Sequence, residues 1–447
     1  MHLNTGDTAW VLMSSALVLL MTPGLAFFYG GMVRSKSVLN MLMMSMLTIG
    51  IVTPLWVLYG FSLSFGTGSH SSGLIGDLSQ LGLSDTLNLG AVNGADYPIP
   101  LLVFAAFQLM FAVITPALIS GAIADRAKFS AWAVFVGVWV TLVYFPVAHW
   151  VFGFGDTSGN GAGWLAHWGV IDFAGGTAVH VDAGAAGLAL AIVLGKRIGW
   201  RRDPMRPHSL PFVMLGAALL WFGWFGFNAG SALGANGLAA MAFMNTQTAT
   251  ATAMLGWLIV EKYRDGHMTT LGAASGAVTG LVAITPSCSA LTPVGSILLG
   301  LVAGAVCAYA VGLKYRFGFD DSLDVVGVHL VGGAVGSIAI GFLAAPSSAA
   351  GASGLLYGGG SAGAALLGKQ TVAVLAVGTF SFVMAFIIGK VIDMTMGFRI
   401  SEDDEVTGID QVEHAETGYE LHQGFGGMRT APVGAVVEDG EKERVDA

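Results

Sequence analysis

Two short stretches place a carboxylate and an imidazole among apolar and small residues: DFAGGTAVH, from Asp172 to His180, and DVVGVH, from Asp324 to His329. At a helical rise of about 1.5 Å per residue, His180 falls about 12 Å beyond Asp172, and His329 about 7 Å beyond Asp324. Ionisable groups in such surroundings mark transport paths or proton relays. The competing reading is two unrelated core histidines, each bonded to a carbonyl. Adjacent imidazoles in a low dielectric cannot easily both be charged, so a pair would hold at most one proton and titrate as a unit. It could pass a proton near neutral pH.

Aromatic residues add a second pattern. FQLMF sets Phe107 and Phe111 one helical turn apart, and WFGWFGFNAGS sets Trp224, Phe227 and Ser231 on one helix face. Ring faces attract a cation and a hydroxyl accepts its hydrogen bond, so these groups could collect a small hydrogen-bonding cation. Plain core packing is the alternative for any one stripe.

The elements that must position these residues follow from composition. The chain is 54% hydrophobic and 11% charged over 447 residues, with a mean hydropathy of +0.72, which describes a polytopic membrane protein. Apolar runs predict an all-α fold of eleven transmembrane helices over residues 8–33, 38–66, 99–124, 130–152, 173–196, 209–230, 238–261, 270–290, 293–313, 325–345 and 371–396. The first run lacks a basic leader segment and is followed by Arg34 and Lys36, so it reads as a span and not a removable signal. Lys and Arg crowd every second loop, which predicts an external amino terminus and a cytoplasmic carboxyl terminus. That is the layout of a multi-pass protein of the plasma (inner) membrane.

Two domains are expected: a membrane body, 1–396, and an acidic cytoplasmic tail, 397–447. Residues 400–447 hold 13 acidic and 3 basic side chains, so the net charge of −9 belongs to the tail. Composition alone would read that tail as disordered. Residues 67–98 and 346–370 read as polar external loops. Asp7, Asp77, Asp85, Asp96 and Asp156 make the outer mouth mildly attractive to cations. The fifth helix enters from outside and the tenth from inside, the signature of an inverted five-plus-five repeat with one helix left over.

Other chemistry finds little support. Cys288 and Cys307 form no ligand or disulfide pattern, no His-Glu-x-x-His helix occurs, and the Gly-x-Ser-x-Gly match at Gly359 to Gly363 lacks the strand-to-helix context of a nucleophile. Neither an enzyme nor a metal or cofactor site is expected.

The motifs PGLAFFYGGMVR, DRAKFSAW, DFAGGTAVH, WFGFNAGSA and DVVGVH, in that order along nearly the whole chain, resemble the ammonium transporters of the Amt/Mep/Rh family. The resemblance implies a homotrimer with one narrow pore per subunit, twin pore histidines His180 and His329, and a phenyl gate of Phe111 and Phe227. It implies an outer recruitment site drawn from Phe107, Phe111, Phe152, Ser231 and Asp172, with Trp224 lining the pore. Phe152, in AHWVFG, stands where many bacterial members carry Trp, a better cation-π platform. Trp150 is about 200° away round a helix and a poor substitute. Asp182 stands where an uncharged residue is expected, and pairing within the structure is its expected role.

The activity implied by the resemblance is ammonium uptake: recruitment, deprotonation, passage of ammonia past the histidines, and separate relay of the proton. Methylammonium is a further candidate substrate. An ammonium sensor of the same fold with little flux is the alternative. The tail resembles the family's regulatory segment, with Asp410, His414, Glu416 and Tyr419 as its candidate residues and a PII-type signalling protein as partner.

Overall fold

A computed structural model describes residues 3–84, 98–156 and 158–419. Among the described residues, nine helices are long and apolar enough to cross a membrane: α1 Thr5–Met32, α2 Val38–Phe65, α3 Leu101–Ile123, α4 Phe129–Phe152, α5 Gly176–Leu194, α6 Leu210–Gly230, α9 Pro293–Phe317, α10 Val326–Leu343 and α11 Gly360–Met396. Two more complete the bundle, α7 Gly237–Asp265 and α8 Thr270–Ile284. Among the described residues the only β feature is an isolated bridge between Ala127 and Arg399. The nine and the two fall on the eleven expected segments, although α7 is interrupted by the polar run NTQTAT and α8 is short.

Most boundaries shift by a few residues, and the two largest differences have local reasons. α8 stops at Ile284, six residues early, because Pro286 has no N–H to continue the ladder and its carbonyl instead accepts from Phe173 N–H at 3.1 Å. α11 begins at Gly360, eleven residues early; the Gly/Ser-rich stretch read as loop is helical because Gly363 seats against the backbone of Gly354 and Leu355. Small residues bring helices close elsewhere. Any side chain at Gly304 of α9 would collide with the Ala253 carbonyl of α7, and one at Gly216 of α6 with the Phe28 backbone of α1.

Both histidine-bearing helices depart from α geometry where the histidines sit. Gly176–Val181 and Val326–Leu330 are π-helical. These wider turns, a device found at functional sites, aim His180 and His329 into the bundle.

At the end of the bundle carrying the basic loops, buried ions knit helices together. Arg197 binds Asp125 at 3.1 Å and Asp320 at 2.8 Å, and Arg34 binds Asp125 at 3.3 Å. The described tail docks here through α12 Glu402–Thr407 and α13 Ile409–His414. Composition alone would read this tail as disordered, whereas its described residues are helical and docked. Residues 420–447, and Asp85 and Asp96, lie outside the described residues.

Candidate functional site

The start of α5 is built by Asp172. Its carboxylate accepts from the N–H groups of Gly175, Gly176, Thr177 and Ala178 at 2.7–3.1 Å, and Gly175 turns the chain with φ 113°. Burial pushes this carboxyl above the usual range while the four N–H groups pull it back. Asp172 therefore organises the wall of the mouth through the backbone.

Asp324 does not do the same for α10. It sits at φ 63° and binds Lys314 at 2.6 Å, whereas Asp321 accepts from Val325 and Val326 N–H at 3.1 and 2.8 Å. The counterpart of Asp172 is Asp321, each eight residues before its histidine. That shared spacing was legible in the sequence; the nearer Asp324 obscured it.

His180 and His329 meet. Their Nδ1 atoms are 3.3 Å apart and their rings stack at 5.4 Å between centroids, both almost fully buried. Only one of two facing nitrogens can carry the bridging hydrogen, so one ring donates and the other accepts. Trp224 stacks on His180 at 5.3 Å and its indole donates to Thr285 at 2.8 Å. Phe227 lies 6.1 Å from His180, and Phe111 stacks on Phe227 at 4.2 Å with 31° between ring planes. Phe111, Phe227, His180 and His329 thus form one file of rings.

Above Phe111 opens a cavity of about 300 Å³ lined by Gln108, Phe111, Phe152, Asp172 and Ser231 among others. The Ser231 hydroxyl donates to Phe227 O at 2.8 Å, which leaves its oxygen free to accept from a guest. Phe107 corrects the expectation: it is fully buried behind Phe111, edge-on at 5.0 Å, and does not line the cavity. Gln108, one residue on, lines it instead. A lone amide in the apolar run of α3 was the signal available for it.

Asp182 also departs from expectation. It is fully buried, neither carboxylate oxygen has a hydrogen-bond partner among the described residues, and Ser381 donates only to its main-chain carbonyl at 2.7 Å. Both cysteines are free, and no group of three His, Cys, Asp or Glu among the described residues could hold a metal.

Three of the four tail candidates make specific contacts. Asp410 accepts from Leu39 and Asn40 N–H at 2.9 and 2.8 Å, capping α2 from a distance. His414 meets the Asn40 side chain at 3.0 Å and packs edge-on against Phe129, and Tyr419 meets His208 at 2.9 Å. Among the described residues Glu416 makes only a main-chain bond, its N–H donating to Asp410 O at 3.4 Å. Glu405, not singled out in the sequence, binds Arg399 at 2.8 Å and Ile198 N–H at 2.8 Å, and Glu413 accepts from Phe129 N–H at 3.1 Å.

A multi-pass helical bundle with an aromatic-walled cavity leading to buried imidazoles defines a membrane transporter for a small polar solute. Residues 9–419 match the profile of the Ammonium Transporter Family. The chain is 56% identical to an ammonium transporter of Mycobacterium tuberculosis, over 98% of this chain and 96% of that one. Its fold resembles Mep2 of Saccharomyces cerevisiae, with a TM-score of 0.82, 33% identity, and coverage of 90% of this chain and 89% of that one. A sensor Amt protein is similar too, with a TM-score of 0.82, 28% identity, and coverage of 92% and 98%. This chain belongs to the ammonium transporter family, a family of membrane transporters and not of enzymes.

Proposed function

We propose that the chain takes up ammonium by deprotonating it at the outer mouth and passing ammonia along the ring file, with the proton relayed through His180 and His329. The carrying observation is the 3.3 Å contact between the two Nδ1 atoms at the foot of that file. Ammonium reaches the cavity, held by the faces of Phe111 and Phe152 and the Ser231 oxygen. An ion stripped of water in the apolar section below would bear several kcal/mol of desolvation, on the order of that for any buried charge, whereas ammonia would not. Potassium has no proton to surrender and stops at the gate. Methylammonium is a candidate for the same route.

In this reading the eleven helices all span the plasma (inner) membrane, the amino terminus is external, and residues 397–447 form a cytoplasmic regulatory unit that meets a PII-type protein. The shared cap-to-histidine spacing supports an inverted repeat of α1–α5 and α6–α10. A homotrimer is supported by α7, which leaves the Gln247 amide uncovered near mid-helix. A neighbouring copy would cover it where lipid offers no partner.

Current recorded from proteoliposomes on a solid-supported membrane, after matched ammonium and potassium pulses, tests the reading. A saturable current for ammonium alone is expected. Equal currents for both ions would refute selective deprotonation. The likeness to a sensor Amt protein favours a second reading, ligand detection with little flux. Stopped-flow recording of internal pH separates it, because a sensor would leave that pH unmoved.

A further inference from the structure

His149 lies on α4 three residues before Phe152 and has no exposed surface. Its Nδ1 is 2.9 Å from the Ser64 carbonyl oxygen, and its Nε2 is 2.7 Å from the Ser72 carbonyl oxygen. Carbonyl oxygens only accept, so both contacts are hydrogen bonds only when both ring nitrogens carry hydrogen. A neutral ring has one N–H and would set a nitrogen lone pair against an oxygen lone pair at the other contact. The bonding is complete only in the imidazolium.

The Ser72 carbonyl is the first of three consecutive carbonyls gripped at this end of the bundle. Trp164 N–H donates to Gly73 O at 2.9 Å, and the Trp150 indole donates to Leu74 O at 2.7 Å. The segments packed around the ring carry Tyr144 on α4, His70 and Asp77 in the loop after α2, Asp156 in the turn after α4, His167 in the turn Trp164–Trp168, and His180 on α5. None of them hydrogen-bonds or ion-pairs with the imidazole, and the Asp77 carboxylate is engaged by Ser79.

We propose that His149 is a positioning residue for cation recruitment: its imidazolium, donating from both ring nitrogens, clamps residues 72–74 onto the end of α4 that carries Phe152. Without that clamp the Phe152 face is no longer held in place and recruitment weakens. The effect on transport rests on the recruitment reading above, whereas the charge on the clamp does not.

Solid-state NMR of protein carrying nitrogen-15 histidine in bilayers tests the charge. Near neutral pH, one ring with both nitrogens protonated is expected in the wild type and missing from His149→Gln. A bare nitrogen on the His149 ring under these conditions overturns the proposal. Ammonium currents of wild type and His149→Gln, a neutral side chain that cannot donate to both carbonyls, test the consequence side by side. The half-saturating concentration of the variant should lie roughly three- to tenfold above that of the wild type. An unchanged half-saturating concentration overturns the proposal. Absence of current from the wild type itself refutes the recruitment reading, and the nitrogen spectrum then judges the clamp alone.

Discussion

The His180–His329 contact constrains both rings at once. With Nδ1 facing Nδ1, the donating ring has a bare Nε2 and the accepting ring has a protonated one, so the pair offers an acceptor at one end and a donor at the other. His180 Nε2 has no protein partner among the described residues. A proton taken up at one end and released at the other reverses the pair, which suits a relay. Replacing both with Ala should cut selective ammonium current by about a hundredfold or more, the lower end of the usual contribution of a positioned proton-transfer group. Unchanged current and ion preference in that variant would sink the relay. Phe152 argues in the opposite direction, because in the proposed recruitment site it would be a weaker ring for a cation than Trp. Phe152→Trp should lower the half-saturating ammonium concentration about two- to fivefold, the equivalent of a modest cation-π gain. The same current titration measures it, and a weakened affinity would mean that Phe152 does not face the ion.

Each histidine depends on an element whose first turn is held by an aspartate several residues upstream. For α10 that aspartate is Asp321, and burial raises its carboxyl to about 6, with Lys314 pulling it down and Asp324 pushing it up. Below about pH 4 the carboxyl is protonated whether folded or unfolded and costs nothing. From about pH 4 to about 6 the unfolded chain ionises first, so folded stability falls as pH rises, and the full cost persists above. Asp321→Asn cannot ionise and should gain on the wild type across that window by at most about 3 kcal/mol. That gain stands against a constant loss of hydrogen-bond acceptor strength. Thermal unfolding of both proteins in detergent from about pH 4 to 7 checks it, and a difference that does not change with pH would contradict the assignment.

At the scale of the whole molecule, the described tail is part of the bundle's basic end. Glu405 binds Arg399 and lies 3.6 Å from Arg34, which joins Asp125, Arg197 and Asp320 in one buried network next to Asp321. Asp410 and Glu413 satisfy N–H groups at the starts of α2 and α4. Truncation after Arg399 removes all three carboxylates and strands their donors. Melting should fall by about 5 °C or more, since each buried unsatisfied group costs about 1–3 kcal/mol. Binding of a PII-type protein should be lost with it. A truncated protein with unaltered melting, transport and PII binding would end the regulatory reading.

The sequence by itself determined the class of fold, the approximate course of the helical segments and the histidine-bearing motifs. Apolar run length, basic loop residues and long ordered motifs are properties of the chain that no packing alters. Side-chain partners were beyond it. DVVGVH drew attention to Asp324, yet the three-dimensional path of the chain gives Asp324 to Lys314 and leaves Asp321 to cap α10. Phe107 and Gln108 differ by about 100° round one helix, and only the neighbours of α3 decide which meets the cavity. Asp182 was expected to find a partner, yet neither carboxylate oxygen has one among the described residues, and the nearby Ser381 hydroxyl donates to its main-chain carbonyl. The clamp at His149 needs carbonyls 85 and 77 residues away in the chain, and tertiary structure alone brings them to both sides of one ring.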